Sequence, residues 1–97
     1  MKRHKRIYME FFNLSTEERV PCERCWKAVA VDVHHCERRG MGGDQTGEKD
    51  VIENLGGVCR GCHEILDAIP DENEKFKSWC ANLDGRKQKM RRVMYGG

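Results

Sequence analysis

Apolar and polar positions alternate most cleanly over residues 28–35, where Val29, Val31, Val33 and His35 fall on one side and Ala30, Asp32 and His34 on the other. That period of two predicts a β-strand. Residues 51–58 read as a return segment with Gly56-Gly57 near its end, and residues 37–50, with Gly40, Gly42, Gly43 and Gly47 among charged side chains, read as a surface loop. From Cys62 the pattern turns helical, with His63, Leu66 and Asp67 as landmarks and Pro70 as its end. A second helix is expected to start near Asp71-Glu72-Asn73. Its Phe76, Trp79, Cys80 and Leu83 follow the i, i+3, i+4, i+7 rule, and Gly85 is the expected stop. Upstream, residues 7–14 are apolar enough for a short helix or strand. Ser15-Thr16-Glu17-Glu18 has capping-box spacing, although Pro21 leaves such a helix barely a turn. The pattern implies a small α+β fold in one domain, residues 1–97, with a core at 22–67, a basic N-terminal arm at 1–6, and a C-terminal helix and basic tail at 71–97.

Composition makes that core thin. Of 97 residues 38% are apolar and 35% charged, with a mean hydropathy of −0.80. A chain this short buries little of its surface and calls for a staple. Its six cysteines offer one. Three disulfides would suit a secreted mini-protein, but the start Met1-Lys2-Arg3-His4-Lys5-Arg6 runs into a mixed stretch containing Glu10, unlike a secretory signal. No apolar run approaches membrane-spanning length. Paired Cys-x-x-Cys motifs without export features read better as a reduced, intracellular zinc site, which places the chain in the cytoplasm.

Charge is unevenly spread. Residues 1–6 carry four cations and no acid, and residues 86–92 carry five cations and no acid. All sixteen acids lie between 7 and 85, beside only nine cations. Basic ends around an acidic middle suit arms that grip phosphates about a cation-binding centre; solvated tails that aid solubility are the plainer alternative.

Cys22, Cys25, Cys59 and Cys62 form two Cys-x-x-Cys pairs spaced for one tetrahedral zinc, closed by thiolates about 2.3 Å from the ion and therefore structural. Such a zinc stabilises a small domain by roughly 10 kcal/mol or more. A redox role for either pair competes weakly, since the pattern is doubled and lacks a βαβ context. Cys36 and Cys80 lie outside the pairs and are expected as free thiols. Three histidines lie within this frame and are surplus to it. His63 and Asp67 are four apart on the expected helix, so both project from one face. His34 on the strand completes a set of three ligands for a second, open cation site. His35 points to the opposite face, which leaves it as an imidazole able to take a proton from water. A cation for the phosphate and a separate base for water are what phosphodiester hydrolysis needs. Asp32 shares a strand face with His34 and is either placed to orient it or simply an exposed strand residue, the first reading being favoured.

Cys22-x2-Cys25, Asp32-Val33-His34-His35, Gly42-Gly43-Asp44, Asn54-Leu55, Cys59-x2-Cys62-His63 and x3-Asp67 together resemble the HNH endonucleases with the ββα-metal fold, and more narrowly the small zinc-knuckle type common in bacteriophages and mobile elements. The resemblance implies that His35 is the general base, that Asn54 holds the hairpin loop and so orients His35, and that His34, His63 and Asp67 hold the catalytic metal. Asp67 stands where relatives often carry histidine; its oxygen favours Mg²⁺ or Mn²⁺, with Ni²⁺ or Zn²⁺ as alternatives. DNA is the implied substrate, gripped through phosphates by Arg38, Arg39, Arg86, Lys87, Lys89, Arg91 and Arg92. The implied setting is a bacterium or a phage-infected host cell, with no membrane partner. Two rival readings are a non-catalytic zinc module that binds nucleic acid or protein, and an accessory subunit active only beside a phage packaging or recombination partner.

Overall fold

The computed structural model describes residues 2–15, 17–37 and 50–96. Along the chain it forms α1 (Arg3–Phe11), β1 (Asp32–His35), a 3-10 turn (Ile52–Asn54), β2 (Leu55–Val58), α2 (Arg60–Ala68), α3 (Pro70–Ala81) and α4 (Leu83–Tyr95). Among the described residues this is a mixed α+β arrangement of one antiparallel two-stranded ribbon and four α-helices. The expected loop glycines, Gly42-Gly43-Asp44 and the candidate cations Arg38 and Arg39 lie outside the described residues.

The ribbon register pairs Asp32 with Val58, Val33 with Gly57, His34 with Gly56 and His35 with Leu55. Because side chains alternate along a strand, one face carries Val33, His35 and Leu55, and the other Asp32, His34 and Val58. Each face seeds its own core. Leu55 packs with Tyr8, Met9, Val20 and Met90 under α1 and α4. Val58 packs with Cys22, Cys36, Cys62, Leu66, Phe76 and Cys80 under α2 and α3. The two glycines of β2 let helices press on the backbone from both sides. A Cβ on Gly56 would lie 2.3 Å from the Phe76 ring, and one on Gly57 2.7 Å from the Tyr8 hydroxyl oxygen.

Several expected boundaries move. The strand is shorter than residues 28–35, because Val29 bridges Pro21 and the Ala30 N–H donates to the Val20 carbonyl (2.7 Å). The first knuckle thus claims residues 29–30 before the ribbon begins, and the alternation fails there. Ala30 packs with the same cluster as Val33, while Val31 is 62% exposed. Ser15 and Glu18 bond each other reciprocally, but around a turn that leads into no helix. Pro70 both follows α2 and opens α3, where its fixed φ and missing N–H cost nothing. Gly85 does not stop a helix. Instead α3 ends at Ala81, and Asn82 caps α4 by accepting from the Gly85 N–H (3.1 Å). A Cβ on Gly85 would sit 2.4 Å from the Asn82 side chain, so glycine lets this cap close. The basic "arm" and "tail" are likewise ordered: residues 3–6 lie in α1 and residues 86–92 in α4.

One buried pair ties these pieces together. The Arg86 Nε and Nη2 donate to the two Glu23 oxygens at 2.9 Å each. Its remaining N–H groups reach the carbonyls of Ile52 (2.8 Å), Cys80 (2.8 Å) and Leu55 (2.5 Å). Glu23 also accepts from the Tyr8 hydroxyl (2.5 Å) and the Trp79 indole N–H (2.9 Å). All five guanidinium donors and all four carboxylate acceptor positions are used. Both side chains have 0% exposure. Burial pulls the Arg86 pKa down, but Glu23 outweighs it and the guanidinium stays charged. Burial and the neighbouring Glu23 also push the Tyr8 phenol well above its ordinary value, so it remains a donor.

Breaking a saturated buried ion pair strands its partner charge. Arg86→Ala should therefore cost about 3–5 kcal/mol of unfolding free energy in urea titrations. Arg92→Ala, on the exposed side of the same helix, should leave the midpoint in place. Equal midpoints for the two variants would contradict this role for Arg86.

Candidate metal centres and the residues around them

The first knuckle arises where the chain turns back on itself after Pro21. The Cys22 N–H donates to the Ala28 carbonyl (2.8 Å), and the Trp26 N–H to the Cys22 carbonyl (2.9 Å). The Arg24 and Cys25 N–H groups point at the Cys22 sulfur (3.4 and 3.5 Å). Trp26 takes a positive φ of 59°, held by edge-to-face packing on Trp79 (centroids 5.9 Å apart) and by Lys89 Nζ over its ring (4.7 Å). The Glu23 N–H hooks this knuckle onto β2 through the Gly57 carbonyl (2.8 Å). The second knuckle is the entry to α2, where Cys59 is the N-cap and Cys62 lies in the first turn. The positive end of the helix favours thiolates there.

These elements bring Cys22, Cys25, Cys59 and Cys62 together, with their sulfurs within 4.8 Å of one another. The Cys25 and Cys59 sulfurs are 4.0 Å apart. A tetrahedron with metal–sulfur bonds of about 2.3 Å needs sulfurs about 3.8 Å apart, so the four thiols fit one metal ion. Backbone hydrogen bonds at residues 27–28 outweigh burial and lower the Cys25 thiol to about 6. Burial raises Cys62 to about 12 although Arg24 donates to its sulfur (3.5 Å).

A second cluster lies on the α2 side of the ribbon: His34, His63 and Asp67, with donor atoms within 4.8 Å of one another. The structure shows how each imidazole is aimed. The Asn73 amide donates to the Cys36 carbonyl (2.9 Å), which fixes its oxygen toward His34 Nε2 (2.7 Å). The Asn73 oxygen is an acceptor, so Nε2 carries the proton and the lone pair of His34 is on Nδ1, 3.8 Å from an Asp67 oxygen. On His63, Nδ1 meets Asp32 Oδ2 at 3.0 Å, which leaves the lone pair on Nε2, 3.7 Å from the other Asp67 oxygen. Two lone pairs and a carboxylate thus converge, each imidazole held from behind as metal-binding histidines usually are. Burial lowers the His34 pKa, which keeps it in the neutral, ligating form.

Asp32 was expected to orient His34; it orients His63 instead, because α2 delivers His63 to the Asp32 end of β1. Asn73 takes the role expected of Asp32 toward His34. It lies on α3 outside the motif spacing, and nothing in its sequence neighbourhood marks it.

His35 faces the other way, as alternation requires, but it is not an isolated imidazole. Its Nε2 meets Asp50 Oδ1 at 2.8 Å, and the His4 ring packs edge-on against it (centroids 4.9 Å apart). Asp50 Oδ2 in turn accepts from Arg3 at 3.0–3.1 Å. His4, His35 and Asp50 thus form a third group of metal-capable side chains. Asn54 clasps the backbone just past His35. Its Oδ1 accepts from the Glu37 N–H (2.7 Å), its Nδ2 donates to the Glu37 carbonyl (3.0 Å), and the Cys36 N–H reaches the Asn54 carbonyl (2.9 Å). Cys36 and Cys80 are buried with their sulfurs 3.8 Å apart.

The candidate phosphate contacts divide. Arg86 is withdrawn from that role, being fully buried against Glu23. Lys87 Nζ lies over the Phe11 ring and Lys89 Nζ over the Trp26 ring, both at 4.7 Å, while Arg91 and Arg92 are exposed. Lys2 at the N-cap of α1 and Arg3, Lys5 and Arg6 within it are exposed too. Among the described residues no helix is long and apolar enough to cross a membrane.

If Asn73 and Asp32 set the tautomers of the two histidines, Asn73→Ala or Asp32→Ala should weaken Mn²⁺ binding about 10- to 100-fold. Isothermal titration calorimetry on chains with the cysteine site loaded measures this, and undiminished affinity in both variants would contradict it.

Comparison with family models, with curated proteins and with solved structures finds no match for this chain.

Proposed function

We propose that this chain is a metal-dependent endonuclease of the HNH type, hydrolysing DNA phosphodiester bonds in a phage or mobile-element setting. The observation that carries the reading is the convergence of His34 Nδ1, His63 Nε2 and the Asp67 carboxylate. It sits on a ribbon–helix unit whose four thiols are set for a structural zinc. The Asp67 oxygen favours Mg²⁺ or Mn²⁺, while the two imidazole nitrogens equally suit Ni²⁺ or Zn²⁺. Bound there, such an ion supplies Lewis-acid stabilisation to the phosphate and the leaving 3′-oxygen.

The rest falls to the chain's own groups. Asp32 and Asn73 hold the two ligand imidazoles in the required tautomers. Asn54 pins the chain at Glu37, two residues after His35, and so fixes where β1 ends. His35 takes the proton from the attacking water. It lies on the opposite face of β1 from His34, but the ribbon has only two strands, so a phosphodiester laid across the β1 edge meets both faces. Lys87, Lys89, Arg91 and Arg92 on α4 and the cations of α1 contact backbone phosphates, which makes binding fall with salt.

One observation favours a second reading. His35 is 16% exposed and already bonded to Asp50, as it would be in a zinc-clipped nucleic-acid-binding module with no hydrolytic step. A supercoiled-plasmid assay across Mg²⁺, Mn²⁺ and Ni²⁺ separates the two. The endonuclease reading expects EDTA-sensitive nicking that His35→Ala lowers about 100-fold or more with the fold intact. Binding without cleavage under every metal, or wild-type cleavage by His35→Ala, would count against it. One zinc per chain is also expected, lost together with the thermal transition in Cys59→Ser; a metal-free wild type with an unchanged melt would refute the structural-zinc assignment.

A further inference from the structure

Of the His4–His35–Asp50 group the reading above gives a catalytic role to His35 alone, and the geometry of the group is specific. Asp50 has a side chain only 1% exposed, with each oxygen committed. Oδ2 takes Arg3 Nη2 and Nε at 3.0 and 3.1 Å, and Oδ1 takes His35 Nε2 at 2.8 Å. An ionised carboxylate only accepts, so Nε2 must carry the proton and the His35 lone pair resides on Nδ1. The partners come from distant chain segments: Arg3 and His4 from α1, His35 from the end of β1, and Asp50 from just before the 3-10 turn. The imidazole is further fixed by the His4 ring at 4.9 Å and by the Asn54 clasp on the adjoining backbone.

We propose that Asp50 is the positioning residue of the general base: it holds His35 in the Nε2–H tautomer and presents Nδ1 as the proton acceptor, with Arg3 fixing the Asp50 carboxylate. The proposal rests on the endonuclease reading for its catalytic consequence, but the tautomer itself does not. The logic is that of a carboxylate behind a catalytic imidazole, where the acid orients the ring and stabilises the imidazolium without accepting the proton itself. It makes α1, outside the metal motif, a supporting part of the reaction centre.

The arrangement makes Asp50→Asn informative. Arg3 directs two donors at the Oδ2 position, so the asparagine oxygen settles there and its NH₂ turns to His35. The ring must then offer a lone pair at Nε2 and carry its proton on Nδ1, which caps the basic nitrogen. Freeing the amide with Arg3→Met in the same chain lets the asparagine oxygen turn back to His35 and restores the first tautomer.

The test is run on the zinc- and Mg²⁺-loaded full chain at about pH 8, above the ordinary titration range of a free imidazole. Long-range ¹H–¹⁵N spectra assign the His35 tautomer, and steady-state cleavage of a duplex gives kcat and KM separately. Wild type should show Nε2–H. Asp50→Asn should invert the tautomer and lower kcat about 100-fold with KM within about twofold. Arg3→Met/Asp50→Asn should return Nε2–H and recover about tenfold or more in kcat. An Nδ1–H wild type, or an Asp50→Asn chain with unchanged tautomer and kcat, would overturn the proposal. So would a third metal ion per chain that disappears in Asp50→Asn, since the cluster would then be a cation site. If wild type shows Nε2–H yet never cleaves, the endonuclease reading fails and takes the catalytic role of Asp50 with it.

Discussion

A single buried ion pair holds this molecule's layers in register. Glu23 lies one residue past Cys22 in the first knuckle, and Arg86 lies in α4, 63 positions away. Their contact closes around Tyr8 of α1, Trp79 of α3 and the carbonyls that flank the ribbon. A buried pair of this kind contributes little net stability against an apolar replacement, because desolvation offsets attraction. What it gives is geometry: five fixed donors and four acceptors admit one arrangement of knuckle, ribbon and helices. The thiol quartet closes on the same frame, and the ribbon's two faces are left to carry different polar clusters.

That division of faces organises the chemistry. Toward α2, His34, His63 and Asp67 converge with their lone pairs inward. Toward α1, His35 engages Asp50 and His4. On the proposed endonuclease reading, a two-stranded ribbon is thin enough for one phosphodiester to meet groups from both sides at its edge. The two glycines of β2 make this thinness affordable, since Phe76 and Tyr8 approach the backbone where any side chain would clash.

The cysteine quartet and the His34/His63/Asp67 set were legible in the sequence because local spacing dictates them: knuckle geometry for the thiols, helical period for His63 and Asp67, strand alternation for His34. Asn54 was legible only through resemblance; the structure shows it clasping the Glu37 backbone, and the loop it is expected to hold lies outside the described residues. What the sequence hid depends on long-range contacts. Asn73 looks like one polar residue at a helix start, yet it sets the His34 tautomer. Arg86 looked like part of a phosphate-binding run, because charge counting does not reveal that Glu23 waits in the core. Asp32 was assigned the wrong histidine since alternation fixes a face but not which helix lands on it. Gly85 read as a stop because glycine ends helices more often than it makes room for a preceding cap.

The central claim is that a cation pocket forms from His34 Nδ1, His63 Nε2 and Asp67 beside a separate, thiolate-bound metal. Anomalous difference maps from Mn²⁺-soaked crystals of the zinc-loaded chain test it most directly. The account predicts a zinc peak among the sulfurs of Cys22, Cys25, Cys59 and Cys62, and a manganese peak between the two imidazole nitrogens and the Asp67 carboxylate. A map with no manganese there, or with manganese bound only by His4, His35 and Asp50, would contradict it.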